Sequence, residues 1–313
     1  MRFAVSPMWE VGPSMRLLCS GRADRVHRAW AAQVRPRLAA SGLDRGWLAG
    51  LVRASGYVPD FLNPAPAGPA PTLAEELARI VATPAARVRE ELDRLAGEQR
   101  LGPRLRSLYG EPESGLVRVA EEIEAYWDMA LAPYWVRIRE VLDADVFHRL
   151  LQVAEHGAGH LFNELHSSAS WDDQALLLAR RPGPLCRRTA GRGLVLVPSV
   201  FTGPALFTLV APPEPPQLAY PARGTGSLFE PQTATTTDAL AAVLGRSRTR
   251  LLTELGSPAS TTELACRTGL SMARVSQCLT ALRGAGLVSS HRAGRCVLYA
   301  RTSVAEALLT ASA

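Results

Sequence analysis

The stretch from Ser260 to Tyr299 leaves the backbone few choices. Ser260-Thr261-Thr262-Glu263 is a capping box, in which a hydroxyl and a carboxylate three residues on satisfy orphan N–H groups. It predicts a short helix through Thr268. Gly269 then supplies a sharp turn, and Ser271 caps the next helix, 272–283. Gly286 is placed to end that helix. The runs 287–292 and 295–300 follow on either side of Ala293-Gly294, the pattern of a hairpin. Two short helices joined by a glycine turn make a helix-turn-helix, and the hairpin adds a wing. Upstream, 240–244 and 247–255 read as further helices. Asp238 is the expected cap of the first, and Leu251, Leu252 and Leu255 turn inward from the second.

In the helix 272–283, Val275, Leu279 and Leu282 share one face and predict its anchor in a core. The opposite side offers Ala273, Ser276, Gln277 and Thr280, with Arg274 at its flank, Met272 at the start and Ser271 at the cap. Such small or hydrogen-bonding side chains suit a major groove, where arginine favours guanine and glutamine adenine. His291, Arg292 and Arg295 fall at the tip of the wing, in reach of phosphates or a minor groove. Charge agrees. From Asp238 onward nine arginines face four carboxylates, +5 in 76 residues, against +6 for the whole chain. A basic domain with a recognition helix is the footprint expected of a duplex-DNA binder.

The same residues carry a resemblance. Leu264-Ala265-Cys266-Arg267-Thr268-Gly269-Leu270-Ser271, Val275-Ser276-Gln277-Cys278-Leu279-Thr280-Ala281-Leu282, Gly286-Leu287-Val288, and Arg292-Ala293-Gly294-Arg295 with Leu298-Tyr299 follow one another in order. Together they resemble the winged helix of the ArsR/SmtB family of bacterial repressors. That resemblance implies a regulator of transcription, with Met272, Arg274, Ser276 and Gln277 at base-facing positions. Arg2-Phe3-Ala4-Val5-Ser6-Pro7-Met8-Trp9-Glu10, 193–201 and Tyr220-Pro221-Ala222-Arg223-Gly224 are similar to a long domain of unknown function that precedes such winged helices in actinobacterial regulators. The chain departs from the metal-sensing members. Cys266 stands alone before the turn, and the last helix, 304–309, carries no His/Asp ligand set. No arsenic or zinc site is expected there.

Ahead of the winged helix the signals are weaker. At 313 residues the chain is long enough for two cores, and the expected division is 1–225 and 238–313. Helices are expected over 24–40, 43–54, 72–82, 84–99, 113–130 and 133–165, the last with a break near Gly157 or Gly159, and Thr72-Leu73-Ala74-Glu75 is a second capping box. The segment 63–71 is too rich in proline for either element. After Trp171 the punctuation changes. The runs 175–179, 193–200, 205–211 and 217–220 read as short strands of a small, mainly antiparallel sheet. The expected fold is α+β, a mainly helical N-terminal domain with that sheet, then the winged helix. Residues 223–237 make the boundary.

Every basic residue is an arginine, because the chain contains no lysine. With three isoleucines and two asparagines, that is the mark of a GC-rich genome, so not every arginine is a contact. Five scattered cysteines, with no CxxC, suit free buried thiols in a reducing cytoplasm. Pro7, Glu10 and Pro13 interrupt the first apolar stretch, against a signal peptide. No run approaches the ~18 apolar residues of a membrane span. The chain reads as cytoplasmic.

Two constellations compete for a function upstream. His156, His160 and Glu164, with His148 and His166 nearby, have a spacing that on one helix face suits a metal. Surface or capping histidines are the simpler reading. Tyr126, Trp127, Tyr134 and Trp135 around Pro133 suit either a small-molecule pocket or a core. There is no Walker loop, no GxGxxG, and Ser199 sits in no nucleophile elbow, so neither enzyme activity nor a cofactor is expected. The leading expectation is a homodimeric repressor that puts helix 272–283 into the major groove of a pseudo-palindromic double-stranded operator, with the wing, 287–300, on the backbone or minor groove. The N-terminal domain is expected to supply the dimer surface, a small-molecule effector pocket, or both. The alternatives are a metal-responsive regulator using the region from His148 to His166, and a protein-binding scaffold whose winged helix does not bind DNA.

Overall fold

The structure, a computed structural model, describes residues 1–172, 175–179, 193–229, 237–294 and 296–311, without the side chains of 227, 237–239, 293, 310 and 311. Cys186, Arg295 and much of the 223–237 boundary lie outside the described residues. In chain order the elements are β1 (Arg2–Phe3), α1 (Met8–Cys19), α2 (Arg28–Ser41), α3 (Trp47–Leu51), α4 (Leu73–Val81), α5 (Ala85–Glu98), α6 (Pro103–Gly110), α7 (Pro112–Ala130) and α8 (Trp135–Leu165). Then come β2 (Ala169–Trp171), β3 (Leu176–Leu178), β4 (Val195–Ser199), β5 (Phe207–Leu209) and β6 (Gln217–Pro221). The remainder are α9 (Thr237–Leu244), α10 (Arg246–Glu254), β7 (Ala259–Ser260), α11 (Thr261–Thr268), α12 (Met272–Gly284), β8 (Val288–Ala293), β9 (Cys296–Arg301) and α13 (Ser303–Ala311). The α+β expectation holds, and the chain divides into two compact units.

The first unit comprises Met1–Arg22, Arg45–Glu122 and Arg139–Thr225. Four of its strands pair in the order β1-β4-β6-β5. The antiparallel expectation is met by β5 on β6 and by the separate hairpin β2–β3. β1 on β4 and β4 on β6 run parallel instead. The reason is burial on both faces. Val195 and Val197 pack with Ala4, Trp9 and Ala219 on one side, while Leu196 packs with Leu218, Tyr220, Leu161 and Phe162 on the other. A strand covered on both sides reads as a continuous apolar run and can sit inside a parallel array. The sequence 195–199 has that character, and all five of its residues are buried. Two residues of β1 carry no strand signal of their own.

Buried polar groups tie this sheet to α1. Glu10 is fully buried, and its carboxyl accepts from Ser199 Oγ and Val200 N, each at 3.1 Å. Burial raises its pKa to about 8 against those bonds. Glu76 accepts from Ser6 Oγ at 2.6 Å and Met8 N at 2.9 Å, and burial raises its pKa to about 7. Trp9 Nε1 donates to Gln217 Oε1, whose amide donates in turn to the carbonyl of Asn63, both at 2.8 Å. The segments 2–10, 193–201 and 220–224 thus fall on β1 with the start of α1, on β4, and at the end of β6, neighbours around one sheet.

The second unit joins Gly226–Ala313 to two earlier pieces, Ala23–Asp44 and Ile123–Ile138. Its three-stranded sheet has the order β7-β9-β8, all antiparallel. The core gathers Leu251, Leu252, Leu255, Leu264, Val275, Leu279, Leu282, Leu287 and Ala305. A second buried group lies on α2 and the corner between α7 and α8. Trp30 Nε1 donates to the carbonyl of Ala130 at 2.8 Å, and Tyr134 OH donates to Gln33 at 3.0 Å. Phe229 stacks among His27, Trp30 and Tyr134. Tyr126, Trp127 and Tyr134 are buried, so the aromatic run around Pro133 is core.

Candidate nucleic-acid interface

The helix-turn-helix forms as its local signals require. Glu263 N donates to Ser260 Oγ at 3.3 Å and Ser260 N donates to the Glu263 carboxylate at 2.7 Å, closing the capping box of α11. Burial acts to raise the Glu263 pKa, but the bonds from Ser260 and the Arg37 guanidinium hold its carboxyl below the usual range. Gly269 ends α11 at φ 68°, a conformation that other residues rarely adopt. Arg274 N donates to Ser271 Oγ at 3.3 Å, so Ser271 caps α12 as expected. At the other end Gly286 adopts φ 70°. Leu287 N donates to the carbonyl of Leu282 at 2.9 Å and Gly286 N to that of Arg283 at 3.0 Å, a Schellman close with Leu282 and Leu287 both in the core.

These caps orient α12. Val275, Cys278, Leu279 and Leu282 are buried, which leaves Ser271, Met272, Ala273, Arg274, Ser276, Gln277 and Thr280 exposed. Met272 is 48% exposed, high for a large apolar side chain in a folded domain. Arg274 Nη1 donates to Gln277 Oε1 at 3.1 Å, and Thr280 Oγ1 donates to the carbonyl of Ser276 at 3.0 Å. The predicted base-facing side chains therefore share one exposed face.

The wing differs in detail. Ala293 pairs with Cys296, so Ala293 belongs to β8 rather than to the turn expected at Ala293-Gly294. Gly294 adopts φ 60°, a positive value that glycine reaches without strain. Arg292 is exposed. His291 is half-buried with Nε2 3.1 Å from Ser289 Oγ, and burial lowers its pKa, which favours the neutral ring. Nor do all nine arginines of this region face outward. Arg301 is buried: Nε and Nη2 donate to the carbonyls of Leu252 and Thr253, both at 2.6 Å, closing the end of α10, and Nη1 reaches Glu306 at 3.2 Å.

Two arginines from earlier in the chain reach this unit, and no local signal announces them. Arg37 Nη2 lies 3.1 Å from both carboxylate oxygens of Glu263. Arg137 Nη1 donates to the carbonyl of Gly256 at 2.9 Å, with its Nε 3.8 Å from Glu306. Both become visible only once α2 and the α7–α8 corner pack beside the winged helix.

The other candidates separate. Gly157 sits at φ 81° and breaks the helical path between His156 and His160, whose rings meet at 4.8 Å. His148 bonds the Arg223 guanidinium, and His166 bonds Ser168 and the carbonyl of Pro204. Among the described residues no three His, Cys, Asp or Glu side chains gather as a metal ion requires. Of the described cysteines only Cys278 is buried, and Cys19, Cys266 and Cys296 are exposed thiols, contrary to the expectation of burial. No described helix is long and apolar enough to cross a membrane.

Residues 249–290 match the model of the family described as bacterial regulatory protein, arsR family. The match runs from within α10 through α11 and α12 into β8. No curated protein and no solved structure matches the chain. The chain thus carries an ArsR-type helix-turn-helix, which supports a DNA-binding regulator of transcription.

Proposed function

We propose that the protein is a sequence-specific, cytoplasmic, dimeric repressor that reads a pseudo-palindromic operator. The observation that carries this reading is α12: capped by Ser271, anchored by four buried side chains and presenting a polar face inside the segment that matches the arsR model. In this reading α12 enters the major groove, with Ser271, Met272, Arg274, Ser276, Gln277 and Thr280 at or near base edges. Arg292, Arg295 and His291 lie along the backbone or minor groove. Two protomers set half-sites one helical turn apart or a multiple of it. Residues ahead of the winged helix supply the dimer surface, an effector site, or both.

Anisotropy titrations of the full chain against labelled duplex pools, over a range of salt, test this. Binding should weaken linearly on a log–log salt plot, and light scattering should give a dimer. A protein that binds no duplex even at low ionic strength overturns the reading.

A further inference from the structure

Given that DNA-binding reading, we propose that the corner between α7 and α8, Ala132–Tyr134 with Arg137, positions the wing, so that the wing's hold on DNA depends on residues far ahead of it in the chain. The wing has two faces. Successive side chains of a strand point to opposite sides, and in the β8–β9 register Val288 opposes Arg301, Ser289 opposes Ala300, Ser290 opposes Tyr299 and His291 opposes Leu298. Val288 and Tyr299 pack on the helix-turn-helix core. Ser289, His291, Leu298 and Ala300 therefore face away from it. On a winged helix standing alone that face would meet water. Here Leu298 is 1% and Ala300 4% exposed, and Ser289 and His291 are half-buried.

The corner lies against both wing strands, within the same second unit. Its Pro133 and Tyr134 are buried. It is held on two sides. Trp30 Nε1 donates to the carbonyl of Ala130 at 2.8 Å, and Tyr134 OH donates to Gln33 at 3.0 Å. Beyond the corner, Arg137 Nη1 donates to the carbonyl of Gly256 at 2.9 Å. Arg137 Nε stands 3.8 Å from one Glu306 oxygen, and the other is 3.2 Å from Arg301 at the foot of β9. The wing is thus a middle layer, with the helix-turn-helix core on one face and the corner on the other. Past its two residue pairs with β7 it is a two-stranded hairpin, and such a hairpin needs packing to stay ordered. Covered on both faces, it carries Arg292 at a set place relative to α12.

Salt titrations of the full-length protein on duplex DNA, in a cycle between the corner and Arg292, test this. Arg292→Ala alone should reduce the slope of log affinity against log salt by about 0.9, the value of one phosphate contact. Tyr134→Ala opens the corner and should reduce the slope by at least as much, and adding Arg292→Ala to it should then change nothing further. Tyr134→Phe keeps the ring and should keep the wild-type slope. The bases that α12 selects from a random library should be the same throughout. A corner that merely stabilises the domain lowers the unfolding temperature but leaves Arg292 its full effect in the Tyr134→Ala background. That result overturns the proposal and leaves DNA binding standing, as does an Arg292→Ala protein with the wild-type slope. If Tyr134→Ala does not fold, Arg137→Gln, which releases the other end of the corner, takes its place in the cycle with the same two outcomes. A wild type that binds no duplex at low salt overturns the DNA-binding reading and this inference with it.

Discussion

The helix-turn-helix of the second unit is assembled from neighbours. Ser260 meets Glu263, Ser271 meets Arg274, and Leu282 meets Leu287. The sheet of the first unit is assembled from strangers. Arg2 pairs with Val195 and Val195 with Gln217, and a buried carboxylate from α1 receives bonds from Ser199 and Val200. Local closure entropy is small in the first case and large in the second. The comparison teaches that one region is specified by caps and turns whose partners lie a few residues apart, while the other depends on burial to bring distant segments together. It also separates two kinds of side chain on α12, those that hold it and those that it displays.

The largest effect expected from that separation comes from the holding side. Leu279→Ala opens a cavity in a core where the side chain is 1% exposed, and it should cost about 2–5 kcal/mol of stability. Thermal unfolding reports the loss, and DNA affinity falls with it. Leu196→Ala, on the face of the first-unit sheet that packs on Leu161 and Phe162, should cost a similar amount while leaving the local signals of α11 and α12 untouched. Equal loss of DNA binding in both variants breaks the distinction between the units.

Burial of charge gives the next effect. The folded pKa of Glu10 is raised to about 8 by burial, so the folded protein holds a proton that the unfolded chain releases near pH 4.5. The folded state binds more protons across that window, and stability falls as pH rises through it. The contribution is complete below the unfolded pKa and gone above the folded one. Unfolding temperatures recorded from pH 5 to pH 9 should decline. Glu10→Gln keeps the shape, removes the titration and flattens the curve, with an effect on the order of 5 kcal/mol at pH 9. A decline of unchanged slope in that variant assigns the pH dependence elsewhere, with Glu76 the next group to change.

On the display side, stability and affinity should part company. Arg274→Ala removes an exposed side chain, so it should cost about 1–3 kcal/mol of affinity for specific sites with no measurable change in unfolding. Arg292→Ala should weaken all duplexes about equally and flatten the salt dependence. If Arg274→Ala lowers the unfolding temperature as well, the exposed face is helping to hold the domain.

These differences follow what was legible beforehand. Capping boxes at Thr72 and Ser260, the turn at Gly269 and the buried stripe of α12 all appear where their residues place them, because each rests on contacts within one or two turns. The parallel pairing of β1, β4 and β6 does not, since a two-residue strand has no period and its partner lies far along the chain. Nor does the burial of Arg301, which charge counting assigns to the surface and which the end of α10 recruits. The spacing of His156, His160 and Glu164 pointed to one helix face until Gly157 turned the backbone aside.

The smallest effect sharpens the comparison most. Both units contain a capping box, Thr72 with Glu75 and Ser260 with Glu263, and both carboxyls sit below their usual pKa because of it. Glu75 has no further cation bonded to it among the described contacts, whereas Glu263 also receives Arg37 from α2. Ser260→Ala should cost about 1 kcal/mol, as caps do. Arg37→Ala should cost about 0.5 kcal/mol, since the Glu263 side chain is 42% exposed and solvent screens the pair. The folded pKa of Glu263 is depressed, so this stability is present above the unfolded pKa and disappears as pH falls through the folded one. A double-mutant cycle between Arg37→Ala and Glu263→Gln isolates the pair. Coupling that is present at pH 7 and vanishes at low pH makes α2 a working part of the helix-turn-helix frame. Coupling of zero at both leaves the capping box self-sufficient, and the second unit as locally determined as its sequence suggests.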